Sequence, residues 1–289
     1  MNIVLTALLG VWWSICGYLW FFGVNDGQTF CANAAGRAGQ PAPKFVFEDG
    51  AHKNKGGQAC VEDIVAYANE YRAGADELVG TEDDQLDLQG HFDLIQALLA
   101  SEYSLAYFAN SPWHLNHNAA VLGQMRMLYA DGNEYILIFG NPTPSAGYSG
   151  KYPYDCYDFQ IEGEQLNWLV GNLTNRVFTP NWKQHENPNA HFSMVLKAGT
   201  QKGYAQKGGG WMIEYGYGNL IPPFYDGVIM PTVFITNDWT SLWVSVRYFA
   251  EGVIMSFVRK ALPTVGLAKT GMGYIDALPK TAPPVVIKN

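Results

Sequence analysis

Apolar residues recur at helical spacing in two blocks that flank a stretch of strand-like pattern. Val61, Ile64, Val65, Ala68 and Tyr71 share one helical face, as do Leu88, Phe92, Ile95 and Leu99. Strand-like runs follow, EYILIFG at 134–140, YDCYDFQIEG at 154–163, HFSMVLKAG at 191–199 and GWMIEYG at 210–216, with Asn- and Gly-rich breaks between them. That arrangement predicts an antiparallel barrel or sandwich. Over 232–262 the period is helical again, with Trp239, Leu242, Trp243, Val246, Ala250, Val253 and Phe257 on one face. Asn237 is the candidate N-cap, and Arg247 with Glu251 forms an i,i+4 pair. Val244, Tyr248, Ile254, Met255 and Val258 make the other side apolar too, so this segment either packs on both faces or lies on a membrane.

Residues 3–24 carry no charge. At ~1.5 Å per residue a helix of this length reaches about 33 Å, enough to cross a bilayer core. Trp20, Phe21 and Phe22 gather toward its end, as at a membrane interface. A retained single-span anchor is expected. The alternative is a secretory signal peptide with Ala32-Asn33-Ala34 as its cleavage site, but that reading lacks a basic n-region and has too long an apolar run. No Lys or Arg precedes Arg37, so the positive-inside rule sets no orientation. Residues 25–60 are turn-rich and aperiodic, an irregular insertion bracketed by Cys31 and Cys60. In an oxidising compartment those two are a candidate disulfide; otherwise they are free thiols. Cys16 lies in the span and Cys156 in a strand, and none of the four cysteines has zinc-ligand spacing. The expected organisation is an anchor at 1–24, the insertion at 25–60, a barrel domain with C-terminal helices at 61–262 and an extension at 263–289.

A chain of 289 residues with 48% hydrophobic content can bury one large core. The formal charge of -8 is local: residues 44–93 hold twelve acids and four bases, and the remainder sums to zero. Nothing in this charge distribution suits a nucleic-acid partner. His114 and His117 in WHLNH read as a loop pair, and the chain has no His-x-His motif. No metal or cofactor is expected. Asn172-Leu173-Thr174 is a glycosylation sequon.

Glu214 stands alone among Trp211, Met212, Ile213 and Tyr215. By strand alternation Met212, Glu214 and Gly216 share one face while Trp211, Ile213 and Tyr215 share the other, so neither face looks solvated. A carboxyl group in such surroundings has a raised pKa unless a cation pairs with it. The plainer reading is a structural acid at a strand end, reaching water or a lysine.

NEYILIFG, GYSGKY, GGWMIEYGYGNLIPP and TVFITNDWTSLWVSVRYFAEG resemble blocks of the sigma receptor and fungal sterol C8 isomerase family, in the same order and at nearly the same spacing. NAAVLGQM at 118–125 is similar to another block, and the match runs over residues 45–262, with the anchor shared. The resemblance implies an α+β fold: an N-terminal transmembrane helix, a cupin-like antiparallel β-barrel around a greasy ligand cavity, and C-terminal membrane-associated amphipathic helices. It puts Glu214 on the family's buried glutamate, which binds ligand amines in the receptors and belongs to the catalytic acid pair in the isomerases. The second acid of that pair falls on Asp158, with Asp155 the alternative if the alignment slips; the two take opposite strand faces. Tyr135 falls on a tyrosine that hydrogen-bonds the glutamate. Met125, Leu137, Phe139, Tyr152, Val195 and Met212 are the expected cavity lining. One neutral acid and one carboxylate in an apolar cavity would serve a double-bond shift from C8 to C7 of a sterol, and would bind a protonated amine as a mimic of the carbocation. Where the family carries a histidine before the glutamate this chain has Val195 or Leu196, and where an aspartate precedes TVF it has Pro231.

Three functions follow: a sterol isomerase, a sigma-like ligand-binding scaffold without turnover, or a former isomerase recruited as an accessory subunit of a large membrane assembly. The retained carboxylates favour the first two, and the missing histidine and added segments favour the third. The expected partners are a lipid bilayer, a sterol or other hydrophobic ligand, and other membrane-protein subunits or further copies of the chain. The location expected is the mitochondrial inner membrane or the endoplasmic reticulum.

Overall fold

The structure, a computed structural model, describes residues 56–102, 111–118, 121–130 and 134–261. The uncharged span at 3–24, Cys31, the extension at 263–289 and the side chain of Cys60 lie outside the described residues, and with them the expected anchor and disulfide. Among the described residues no helix is long and apolar enough to cross a membrane.

Two helices lead, α1 (Gly56–Arg72) and α2 (Leu88–Glu102). They bury the faces that the spacing picks out, with Val61, Val65, Ala68, Ile95 and Leu99 wholly enclosed. The first turn of α1 belongs to the stretch read as irregular insertion.

Nine strands follow: β1 (His114–Asn118), β2 (Val121–Ala130), β3 (Glu134–Asn141), β4 (Ser145–Tyr148), β5 (Tyr154–Leu169), β6 (Arg176–Phe178), β7 (Ala190–His191), β8 (Ser193–Leu196) and β9 (Lys202–Gly218). The sheet order is β1-β2-β3-β9-β5-β6-β7, with β4 on β9 and β8 on β5. The pairs are antiparallel, apart from a short parallel contact of β6 with β7.

β5 and β9 form the spine, paired from Tyr154↔Gly218 to Leu169↔Lys202 with register breaks at Gln160/Glu162 and Gly163/Glu164. Such bulges bend a strand and increase its twist. Gly163, with φ of 75°, sits so close to Gly209 that a Cβ there would meet the Gly209 carbonyl oxygen. Beyond the bend β9 exchanges β3 for β4 as its second neighbour, and β5 exchanges β8 for β6. The sheet thereby rolls around an interior, as the cupin-like expectation required.

Both faces of the rolled sheet are covered, so its central strands read as nearly unbroken buried runs. Ile136, Ile138, Tyr157, Phe159, Ile161 and Ile213 point outward, onto Val61, Val65, Phe92 and Ile95 of the leading helices. Tyr135, Leu137, Phe139, Tyr154, Cys156 and Met212 point inward, where Leu220, Phe224, Val228 and Phe249 close the interior.

Those closing residues come from α3 (Ile221–Phe224) with its preceding Leu220, the π-helical segment Tyr225–Ile235 and α4 (Trp239–Ala261). The single helix expected from 232 onward is interrupted, because Asn237 takes a left-handed φ of 55°. The N-cap is Asp238 instead of Asn237: its Oδ1 accepts the Ser241 amide at 2.9 Å, while Asn237 Oδ1 accepts the Trp239 indole N–H. The packed face of α4 also differs from expectation. Ser241, Ser245, Phe249 and Gly252 are buried, whereas Trp239 and Trp243 are 58% and 63% exposed. A Cβ on Gly252 would come within 2.5 Å of the Ala130 carbonyl oxygen, so this helix lies close on β2 through its small residues. The Arg247–Glu251 pair forms at 3.9 Å. His114 is a strand residue, not part of a loop, and its Nε2 meets Ser245 Oγ at 3.0 Å.

Candidate functional site

Glu214 and Asp158 are direct partners across the β5–β9 ladder, and both are buried on its inner face. That register brings their carboxyl groups together with the Cys156 thiol: one donor atom from each of the three lies within 4.8 Å of the other two. Tyr135 reaches the same point from β3. It pairs with Gly216, and a Cβ at 216 would fall 2.2 Å from the tyrosine ring. Glycine there lets the ring lie across the strand, and the hydroxyl donates to Glu214 Oε1 at 2.5 Å. Tyr135 also meets the Tyr154 hydroxyl at 3.1 Å and the Cys156 sulfur at 3.8 Å.

Burial raises the pKa of both carboxyls. For Glu214 the Tyr135 hydroxyl and the Cys156 thiol oppose the rise by bonding to its anion. Asp158 goes well above the ordinary carboxylate range, first through burial and then through the charge of Glu214; a bond from Gln165 and the attraction of Lys202 act against it. The two environments therefore differ in direction: the phenol donor favours the ionised form of Glu214, whereas burial and the charge of Glu214 favour the protonated form of Asp158. Such a pair can donate a proton from one side and accept one on the other, or place a negative charge against a cation. Cys156, Asp158 and Glu214 are also the one group of acid and thiol donors, among the described residues, close enough to share a metal ion.

The cavity beside the pair measures about 50 Å³ and is lined by Phe139, Tyr152, Tyr154, Leu196, Tyr204 and Met212, with Ser149, Gln165 and Gln206 among its polar groups. This is room for water-sized occupants and far below the roughly 300–1,000 Å³ of drug-sized pockets. Tyr152 ties the wall to the C-terminal helices by donating to Asp226 Oδ2 at 2.7 Å. A larger cleft of about 450 Å³ opens elsewhere, between α1 and residues 180–184.

Phe139, Tyr152 and Met212 thus line the cavity as expected. Met125 and Leu137 belong to the inner apolar cluster but are not among the cavity's lining residues, although Leu137 is the cross-strand partner of Glu214 on β3. Val195 does not line the cavity; alternation on β8 turns its side chain into the outer cluster and presents Leu196 instead. Asp155 also faces outward, where it accepts from the Ala198 amide and the Tyr157 hydroxyl and pairs with Lys197 at 3.6 Å. Cys156, Gln165 and Lys202 are the neighbours of the pair that sequence reasoning missed. Their signal is parity: Lys202, Tyr204 and Gln206 alternate on β9 ahead of its glycines, in a stretch outside the strand-like run expected at 210–216.

A rolled β-sheet with a carboxyl pair enclosed at its centre and helices closing the inner face defines the class. The profile described as ERG2 and Sigma1 receptor like protein matches residues 69–261, and the chain belongs to that family. It is 30% identical to the protein erg2 homolog of Dictyostelium discoideum over 57% of its own length and 65% of that protein. With sigma non-opioid intracellular receptor 1 of Gallus gallus it shares 27% identity, over 50% and 60% of the two chains. With C-8 sterol isomerase erg2 of Aspergillus fumigatus it shares 25%, over 52% and 59%. The chain therefore spans about three-fifths of the length of these relatives. An RmlC-like cupin from Shewanella frigidimarina superposes on 39% of this chain and 89% of its own, at 15% identity and a TM-score of 0.30, a likeness too slight to carry any inference about chemistry.

Proposed function

We propose that this chain is a membrane-associated protein of the sterol isomerase and sigma receptor kind that binds a hydrophobic ligand without turning it over, and that it works as an accessory subunit of a larger membrane assembly, a mitochondrial respiratory complex being one candidate. The observation that carries the loss of turnover is Leu196. It sits on the cavity wall opposite Cys156, where the resemblance calls for a histidine, and it offers no proton donor or acceptor. General acid–base groups typically contribute ~10²–10⁴-fold each, so their loss lowers turnover more than binding. Membrane contact is supported by the exposed Tyr225, Phe234, Ile235, Trp239, Trp243 and Ile254 on the C-terminal helical segments.

Expression in a yeast strain lacking its sterol C8 isomerase tests turnover: the expected outcome is no return of C7-unsaturated sterols. Full restoration, abolished by Glu214→Gln, would make the chain an enzyme. A mild-detergent native gel tests assembly, with migration in a large complex expected and migration alone counting against it. The second reading, an active C8–C7 isomerase, is favoured by the pairing of two buried carboxyl groups, Glu214 and Asp158, on the inner face, which such a reaction needs and a packing core does not.

A further inference from the structure

The cleft between α1 and residues 180–184 lies on the outer side of the sheet and shares no lining residue with the cavity of the acid pair. Its volume of about 450 Å³ falls within the roughly 300–1,000 Å³ of small-ligand sites. Ala66, Asn69 and Ala73, spaced by three and four residues, give it one face of α1, while Val79, Trp182 and Phe192 supply apolar walls opposite. One wall is held in shape from both ends of an amide: Asn181 Oδ1 accepts the Val79 N–H at 2.7 Å, and its Nδ2 donates to the Val79 carbonyl at 3.0 Å. Asn69 is 6% exposed. Its Nδ2 donates to the Gln160 carbonyl of β5 at 3.0 Å, which leaves Oδ1, on the amide's other edge, without a partner. A buried acceptor left unpaired is destabilising, and a bound N–H donor removes that penalty.

Charge at the exposed edge of the cleft points to the sign of its ligand. Glu70, Glu77 and Lys183 all line it. Lys183 pairs with Glu70 at 3.3 Å and lies 5.8 Å from the centroid of the Trp182 ring. Glu77 has no cationic partner among the described residues, so two acids face one base. From the free Asn69 oxygen, the apolar walls and this unanswered carboxylate we propose that the cleft is a second ligand site, for a small flat cation carrying several N–H donors on an apolar ring, of the amidinium or guanidinium class. The ring lies between the apolar walls, one N–H reaches Asn69 Oδ1, and the charge answers Glu77. A neutral hydroxyl compound would satisfy the oxygen and leave the carboxylate alone, whereas the divergent N–H groups of an amidinium serve an amide oxygen and a carboxylate at once. The site stands apart from the barrel cavity and does not depend on ligand binding or turnover there.

The experiment titrates the full chain in detergent, by calorimetry, with benzamidine and with benzamide, the uncharged analogue that keeps the ring and an N–H donor. Benzamidine is expected to bind more tightly. Glu77→Gln, at an exposed position, should weaken benzamidine about two- to fivefold and leave benzamide unchanged. Asn69→Leu should weaken both probes; should it fail to fold in a thermal melt, Trp182→Ala takes its place with the same expectation. Location is read separately, by photolabelling with 4-azidobenzamidine and mapping the modified peptide, which is expected to contain residues 66–77 or 180–184. No binding of benzamidine, equal affinity for the two probes, or an affinity for benzamidine that Glu77→Gln does not change overturns the inference. So does a label that maps to the peptides of β5 and β9 holding Asp158 and Glu214, since that would put the cation at the acid pair. None of these failures bears on the reading of the barrel cavity, whose tests are the sterol profile and the native gel.

Discussion

The outer and inner faces of the rolled sheet are equally dry but enclose different chemistry. Outward, Phe159, Ile161 and Ile213 pack on Val61, Val65 and Ile95, and each of these side chains is fully buried. Inward, the same strands enclose two carboxyls, a thiol, a lysine and three tyrosines, Tyr135, Tyr154 and Tyr204. A core that serves only stability has no need of those groups, because each costs desolvation that an apolar residue of equal size would not. Function on this scaffold is therefore sought on the face where burial is least favourable. The outer side is not wholly apolar: it includes Glu62 on α1, 1% exposed and bonded to Ser193, and Glu134 on β3, also 1% exposed.

The largest expected effect belongs to the outer face. Ile213→Ala should lower unfolding free energy by about 2–5 kcal/mol in a denaturant titration, through lost burial and the cavity left behind. A loss below about 1 kcal/mol would mean that the outer cluster is not the main source of stability. Glu62 comes next, through pH. Burial lifts its pKa from 4.5 to about 8, so between those values the folded state keeps a proton that the unfolded chain has released. Its contribution to stability falls as pH rises from 4.5 to 8 and is constant above. Glu62→Gln should remove that slope, and its melting temperature should exceed that of the wild type at pH 8 while the two draw together near pH 5. Parallel pH profiles would show that Glu62 is not held neutral.

On the inner face the effects should shift from stability to binding. Gly216→Ala should cost about 1–3 kcal/mol, because the new methyl displaces the Tyr135 ring, and ligand affinity should fall with it as Glu214 loses its phenol donor. An alanine variant of wild-type stability would rule out the close approach of that ring. The smallest stability effect is expected for Glu214→Gln, within about 1 kcal/mol of the wild type, since the amide oxygen still accepts from Tyr135 and one buried acid is gone. Hydrophobic ligand binding should nonetheless weaken. A destabilisation comparable to that of Ile213→Ala would erase the distinction between the two faces and make Glu214 a structural residue.

The sequence by itself determined the parts that depend on spacing along one element. Period and parity located α1, α2 and the cores of β3, β5 and β9, and parity put Glu214 on the face opposite Ile213 and Tyr215. Parity also required that Asp155 and Asp158 take opposite faces, but which of them looks inward depends on the ladder, and the pairing of Asp158 with Glu214 decided it. The same holds for Leu196 against Val195, whose faces are fixed by contact with β5 and not by anything in HFSMVLKAG. The break at Asn237 and the cap at Asp238 turn on a single left-handed backbone angle, which a helical periodicity continuous across 232–262 conceals. Lys202 is the clearest case. A lysine ahead of a glycine run reads as solvated, and only the bending of β5 and β9 at their bulges turns that end of the strand so that Lys202 is 7% exposed.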